Sequence, residues 1–397
     1  MNDKQYRWVI VGYTLILQAV NIGTLIYCFS LFAVSWLDEF SASRRDVMFT
    51  ISLLQIGSGI CSPFVGRALD KYAIRPLIFV GLGMLILGLF LVSQAQALWQ
   101  IQLVYAFIFP LSATLSGTLA SQTLIAKWFT DNRGFAIGLS ATGTNLGGII
   151  LPLLVAGWLM DIGWRDTLTL LAIIAFVLIA PITWFLLRRS PSRSETSTTP
   201  SAHDVRLWST REILSTRMFW IPMLSLLPLN LAFGGVIFNL GAYSKDLGFD
   251  TETSGMLLAL SSFCMVLGKF FFGALGDRMD HRYLYWIAAF FMVSSMIILQ
   301  MAPTLWLLAI AVIGVGLAGG GILPLLGLIF GSRFGVASFG RVMGFAMISI
   351  SLGSLGPLLA GWAHDISGDY NSAFMLFAFA FLPAVIAMRW LPATASD

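Results

Sequence analysis

The sequence predicts an all-α integral membrane protein. Its twelve transmembrane helices form two pseudo-symmetric six-helix bundles, with both termini in the cytoplasm. Three observations carry that prediction. The 397 residues are 58% hydrophobic and only 11% charged, where a soluble chain carries about a quarter charged residues. The apolar residues fall in runs of about twenty, the length that crosses a hydrocarbon core of roughly 30 Å. The basic residues between the runs are distributed very unevenly.

In chain order the runs are Trp8–Trp36, Val47–Gly66, Leu77–Val92, Trp99–Ala126, Gly134–Met160, Thr167–Leu187, Phe219–Tyr243, Thr253–Leu275, Tyr283–Ala302, Leu305–Phe330, Val342–Ala363 and Ser372–Leu391. In lipid such runs must be helical, because a helix satisfies its own backbone polar groups. The first run is too long for a signal core and has no small-residue cleavage site, so it reads as a retained first span. With the N-terminus placed inside, eighteen Lys and Arg fall in cytoplasmic segments. Only Arg44, Arg45, Arg165 and Lys245 fall in outer loops. That asymmetry sets the orientation.

The segment Arg188–Arg217 is the longest between runs, with a Ser/Thr/Pro-rich middle that reads as flexible. Leu207–Leu214 reads as a short helix on the membrane surface. The linker divides the chain into a bundle at 1–187, the linker itself at 188–217, and a bundle at 218–397. The two halves echo each other. Gly66-Arg67-Ala68-Leu69-Asp70-Lys71 with Arg75 returns 207 residues later as Gly273-Ala274-Leu275-Gly276-Asp277-Arg278 with Arg282. Ala156-Gly157-Trp158 with Asp161 returns as Ala360-Gly361-Trp362 with Asp365. Repeated halves are a recurring transporter design, in which one half rocks on the other. The Gly66/Asp70/Arg75 and Gly273/Asp277/Arg282 clusters read as a conformational gate. There, glycine lets helix ends approach and the carboxylate pairs with its Arg or caps a helix.

Lys269 is the one charge well inside a run. A lysine at that depth costs roughly 2.5–3.5 kcal/mol on insertion scales. No Asp or Glu within a span offsets it, and the repeat equivalent is Ser62, so the fold itself demands no charge there. An exchangeable anion is a natural counter-ion. The competing reading is a lysine that snorkels about 9 Å to the cytoplasmic surface. Lysine is a compact point charge without the guanidinium fork, which favours tolerant carboxylate binding.

The twelve-run layout and the doubled motif resemble the major facilitator superfamily. Ala73 stands where that family usually has a second glycine, and Ile74 where a basic residue is frequent. A finer resemblance lies in Lys127-Trp128-Phe129-Thr130-Asp131-Asn132-Arg133-Gly134, with Arg7–Val47, Gly163–Thr167 and Gly268–Asp277. These stretches are similar to the monocarboxylate porter group and its oxalate/formate-exchanger relatives. In that group the place of Lys269 usually holds an arginine that meets the substrate carboxylate. An aspartate that shares in proton coupling stands one turn earlier; here that place is Met265. In the superfamily, spans 1, 4, 7 and 10 line the cavity, and span 5 contributes. The resemblance therefore implies a substrate site of Lys269 with Asn21, Tyr105, Asn145 and Asn239 as hydrogen-bonding groups. Interhelical polar contact is the competing role for these four.

The expected activity is secondary active transport of small organic anions, monocarboxylates first, by alternating access as proton symport or anion exchange. Two other readings stay open: an exporter of amphipathic organic compounds, and a transporter-shaped receptor or sensor that binds without flux. No nucleophile–base set, phosphate loop or metal cluster stands out, so no enzyme, cofactor or metal is expected. The expected partners are the lipid bilayer of a prokaryotic inner membrane, the organic anion, and protons where transport is symport. Nucleic acid is not expected, and the functional unit is taken to be a monomer. Cys28, Cys61 and Cys264 lie in runs and read as packing residues.

Overall fold

The computed structural model describes residues 3–129, 133–187, 208–276 and 278–392. Among them the structure is helical throughout, with sixteen α-helices. In the first part of the chain these are α1 (Asp3–Ile22), α2 (Phe29–Phe40), α3 (Arg44–Lys71), α4 (Ile74–Ser93), α5 (Leu98–Leu103), α6 (Phe109–Leu115), α7 (Thr118–Trp128), α8 (Arg133–Ile174) and α9 (Ala180–Leu186). Then follow α10 (Thr210–Ser215), α11 (Arg217–Asp246), α12 (Thr251–Gly276), α13 (His281–Leu299), α14 (Leu305–Gly353), α15 (Leu355–Ser367) and α16 (Asn371–Met388). Three π-helical segments, Gly23–Tyr27, Val104–Ile108 and Ala175–Ile179, join neighbouring helices.

Among the described residues ten helical segments are long and apolar enough to cross a bilayer. Two features account for the difference from twelve runs. The fifth and sixth runs share one segment, Ala136–Leu186. Its continuity is only apparent, because Gly163 adopts φ 76° and ψ 174° inside α8. That conformation suits glycine and turns the chain between the two runs. The second feature corrects an expectation. A loop was expected between Phe330 and Val342, yet α14 continues to Gly353. Its 49 residues would extend about 74 Å at roughly 1.5 Å per residue, far more than one bilayer core. The helix breaks at Ser354, so the eleventh run is divided between the end of α14 and the 13 residues of α15.

The chain divides into two compact units: Met1–Ser194 with Phe238–Ala259, and Glu195–Ile237 with Leu260–Asp397. In the first unit α1 lies along α8. Gly143 and Gly147 sit against the carbonyls of Leu15 and Ala19, where any Cβ would collide. Small residues that let backbones touch are the usual glue between membrane helices. In the second unit the same device joins α12 to α14. Gly316 meets Ser261, Gly320 meets Met265, and Gly268 meets the Leu317 carbonyl. Residues 188–207 of the linker lie outside the described residues. A short helix forms in the stretch expected for one as α10, held by a capping box between Ser209 and Glu212.

Candidate functional site

Lys269 lies in the last third of α12 and is half-buried. Its neighbours Phe263, Leu267 and Phe270 are 51%, 46% and 65% exposed and mark one exposed side of the helix. At about 100° per residue, Lys269 lies roughly 100–160° around the helix from them. There it flanks the stripe of Met265, Gly268 and Phe272 that packs on α14. The charge is thus carried on a helix face set off from those exposed side chains.

The four neutral candidates are all buried. Asn21 is 1% exposed, Tyr105 4%, Asn145 0% and Asn239 1%. Asn21 Nδ2 donates to Ser112 Oγ and Ser116 Oγ, each at 3.0 Å. Asn145 Oδ1 accepts from Thr144 Oγ1 at 3.3 Å. Asn239 lies on the part of α11 that belongs to the first unit. Tyr105 sits among rings, with centroids 4.8 Å from Phe109, 5.8 Å from Phe29 and 5.9 Å from Trp36. The first unit therefore holds Asn21, Tyr105, Asn145 and Asn239, and the second holds Lys269.

The gate motif takes different forms in its two copies. No described atom lies within 4 Å of a Cβ placed on Gly66 or on Gly273. Among the described residues no close helix approach forms at these glycines. Both lie in open space beside helix ends, so no neighbour forces glycine. Arg75 stacks on the Trp184 ring at 4.3 Å and donates to the Trp184 carbonyl at 3.2 Å. Arg282 bonds Asp280 instead, with Nε to Oδ2 at 2.8 Å, while Asp280 Oδ1 accepts from the Arg282 backbone N–H at 2.9 Å. Partial burial raises the Asp280 pKa, but the Arg282 bonds and the charges of Arg282 and Arg333 outweigh it and hold the carboxyl below its ordinary range. Asp277 lies outside the described residues, as does the side chain of Asp70.

The sequence reading missed a cluster of ion pairs. All four basic residues assigned to outer loops are paired: Arg44 with Asp246, Arg45 with Asp46, Arg165 with Glu39 and Lys245 with Asp38. Glu39 also accepts from Trp164 Nε1 at 2.5 Å, and Arg165 lies 4.1 Å over the Trp164 ring. The sequence showed these acids only as a charge asymmetry, because three of the four pairs join residues 126 to 207 apart and leave no local pattern.

A polar stripe on α1 was only partly foreseen. Thr14, Gln18 and Asn21 share one face at i, i+4 and i+7. Gln18 Nε2 donates to Ser140 Oγ at 2.7 Å, and Ser140 Oγ donates to Thr14 Oγ1 at 2.8 Å.

An all-helical chain whose long apolar helices pack through glycine contacts, with a charge and buried amides inside them, is a multi-pass membrane protein of the transporter kind. The family model for the Major Facilitator Superfamily matches residues 14–260 and 229–397, and the chain belongs to that family. Among curated relatives it is 20% identical to the uncharacterized MFS-type transporter YcxA of Bacillus subtilis, over 97% of this chain and 95% of the relative. It is 24% identical to monocarboxylate transporter 12 of Xenopus laevis, over 96% and 87%. It is 25% identical to monocarboxylate transporter 13 of Bos taurus, over 96% and 88%. The fold is similar to a bacterial homolog of the human lysosomal transporter Spinster in its inward-facing, unoccupied conformation. The TM-score is 0.72 at 15% identity, covering 97% of this chain and 95% of that one.

Proposed function

We propose that this chain is a secondary active transporter of small organic anions, monocarboxylates in particular. It works by alternating access between two six-helix halves, residues 1–187 and 218–397, joined by the linker 188–217. Twelve spans with both termini in the cytoplasm follow from the charge asymmetry. The membrane is a prokaryotic inner membrane, and the monomer is the working unit. Lys269 supplies the charge that draws the carboxylate, with Asn21, Asn145 and Asn239 as hydrogen-bonding groups. Tyr105 joins them through its hydroxyl only, since its ring belongs to the aromatic layer. Gly66, Asp70 and Arg75, with Gly273, Asp277 and Arg282, form the gate.

The position of Lys269 is the observation that carries this reading. A half-buried lysine set off from the exposed Phe263, Leu267 and Phe270 and flanking the face packed on α14 is partly enclosed by protein, and membrane-embedded ionisable groups mark ion and substrate paths. Similarity to proteins named as monocarboxylate transporters supports the anion. Either proton symport or anion exchange satisfies the charge balance.

The test is uptake and counterflow of labelled lactate, pyruvate and acetate in proteoliposomes at two pH values. Wild type takes up at least one of them. Lys269→Ala lowers the rate at least tenfold, about 1.4 kcal/mol or more of lost stabilisation, and Lys269→Arg restores part of it. Undiminished carboxylate flux in the alanine variant would overturn the role of Lys269. No flux of any carboxylate in wild type would overturn the substrate class.

A further inference from the structure

The first unit contains a place where the hydrogen-bond accounts do not balance, and the imbalance has one sign. Gln18 and Asn21 are 0% and 1% exposed. Gln18 Nε2 donates to Ser140 O at 3.1 Å and to Ser140 Oγ at 2.7 Å. The Ser140 hydroxyl passes its proton toward Thr14 Oγ1, and Thr14 passes its own to the Val11 carbonyl. A carbonyl only accepts, so the group of Gln18 that faces Ser140 O must be the NH2. The same logic orients Asn21. The Ser116 hydroxyl gives its proton to Ser112 O at 2.9 Å, so Ser116 Oγ can only accept from the amide beside it. Asn21 Nδ2 meets Ser116 Oγ and Ser112 Oγ at 3.0 Å.

Both amides are therefore fixed with their N–H groups used. The atoms left without a partner are both acceptors, Gln18 Oε1 and Asn21 Oδ1. They lie three residues apart on α1, about 4.5 Å along its axis. Buried acceptors without donors are costly, and other neutral amides could not relieve them here without turning an NH2 away from a carbonyl.

The neighbouring backbone adds oxygens. The fourth run breaks at Gly117, with φ −97° and ψ −142°. The backbone ladder passes from Ser116 N–H on Ser112 O to Ser121 N–H on Gly117 O, which leaves the carbonyls at the end of α6 outside it. The point a Gly117 Cβ would occupy lies 3.5 Å from Asn21 Oδ1 and collides with Ala113 O. Ser121 Oγ, one turn into α7, is also buried and without a partner. Carbonyl ends of broken helices and amide oxygens suit a hard cation in the membrane.

We propose that Gln18 Oε1, Asn21 Oδ1 and the carbonyl end of α6 bind a compact monovalent cation, Na+ or hydronium, as the coupling ion of the transporter. The leftover atoms of Gln18 and Asn21 are both acceptors, which favours a cation at this place; the Asn21 N–H groups, held here by Ser112 and Ser116, meet a carboxylate only once those serines release them. The inference rests on the transport reading only for the word coupling. The binding itself is measured without any carboxylate, so its failure and that of the anion assignment are separate.

The experiment uses the full chain in lipid nanodiscs. Thermal unfolding is followed against NaCl, KCl and choline chloride at constant ionic strength, at acid and at neutral pH, together with binding of radioactive sodium. A saturable rise in Tm that is specific to Na+ assigns the site to sodium. A rise that follows pH and ignores the salt assigns it to hydronium. Gln18→Leu and Asn21→Leu weaken the effect about tenfold each. Gln18→Glu keeps the side-chain shape and adds a charge, so it tightens cation binding and makes it pH-dependent, a response that loss of packing does not produce. Equal Tm in all three salts at both pH values, without sodium binding and without a Gln18→Glu effect, overturns the proposal.

Discussion

The helical hairpins α3–α4 and α12–α13 are the same frame used twice. Their first helices begin at Arg44 and Thr251 and their second at Ile74 and His281, each pair offset by 207 residues. Even the entry caps correspond. Ser43 Oγ accepts from Asp46 N–H at 3.1 Å, and Asp250 Oδ1 accepts from Thr253 N–H at 2.8 Å. Inside the frame the two copies part. Ser62 and Pro63 stand where the second copy has Lys269 and Phe270. The Ser62 hydroxyl turns back onto its own helix, to Ser58 O at 2.7 Å. Backbone register is common to both hairpins, while charge and packing belong to one. The half-buried charge of this chain is thus placed asymmetrically on a duplicated scaffold.

The largest expected effect breaks that asymmetry directly. Moving the charge, as Lys269→Ser with Ser62→Lys, leaves carboxylate flux at least tenfold down, because Ser62 lacks the glycine-packed surroundings of α12. Recovery of wild-type flux in the double variant would make the two hairpins equivalent and sink the comparison. Packing is the next level. Gly268→Val drives side-chain atoms into the Leu317 carbonyl, and overpacking of that kind costs about 3 kcal/mol. Gly57→Ala in the first copy meets chiefly the Pro110 ring at 2.6 Å, and its cost is about 1–2 kcal/mol. Denaturant titration of the two purified variants gives the order. The gate glycines form the opposite case. Gly66→Ala and Gly273→Ala meet open space, so their unfolding midpoints stay within about 0.5 kcal/mol of wild type. Slower transport in such stable variants would show that the glycines are needed in another conformation.

Much of this frame is legible in the sequence, and the reasons are local. A run of twenty apolar residues has few options in lipid, and the Gly–Asp–Arg echo carried the 207-residue offset that the helix starts display. The break at Gly163 was readable only as a short polar interval, since positive φ is a property of the fold. The continuation of α14 through Arg333 was not readable, because a segment of Gly, Ser and Arg between two apolar runs resembles any loop. The site divides in the same way. Lys269 stood out as a lone charge, and Asn21 as a polar residue in an apolar span. The leftover acceptors of Gln18 and Asn21 were invisible, since they depend on which way Ser116, Ser140 and Thr14 send their protons. Likewise the bond from Arg282 to Asp280 leaves no trace in the spacing of the motif.

Asp280 also supplies the smallest and sharpest test. It is the N-cap of α13, while the matching Ala73 gives α4 no side-chain cap. Asp280→Ala should cost about 1 kcal/mol and make the second hairpin enter its helix as the first does. Ala73→Asp should return a similar amount, since the Arg75 N–H occupies the place of the Arg282 N–H, and it would draw Arg75 off the Trp184 ring. The two changes differ from packing effects in their pH response. The Asp280 carboxyl is held below its ordinary range by Arg282 and Arg333 against the opposing pull of burial. A group depressed on folding stabilises above its unfolded pKa and loses that contribution as pH falls through the folded value. The Tm gap between wild type and Asp280→Ala should therefore be constant near neutrality and close in acid. A gap that persists unchanged at acid pH would mean that Asp280 acts through shape alone, and the difference between the two hairpin entries would not be electrostatic.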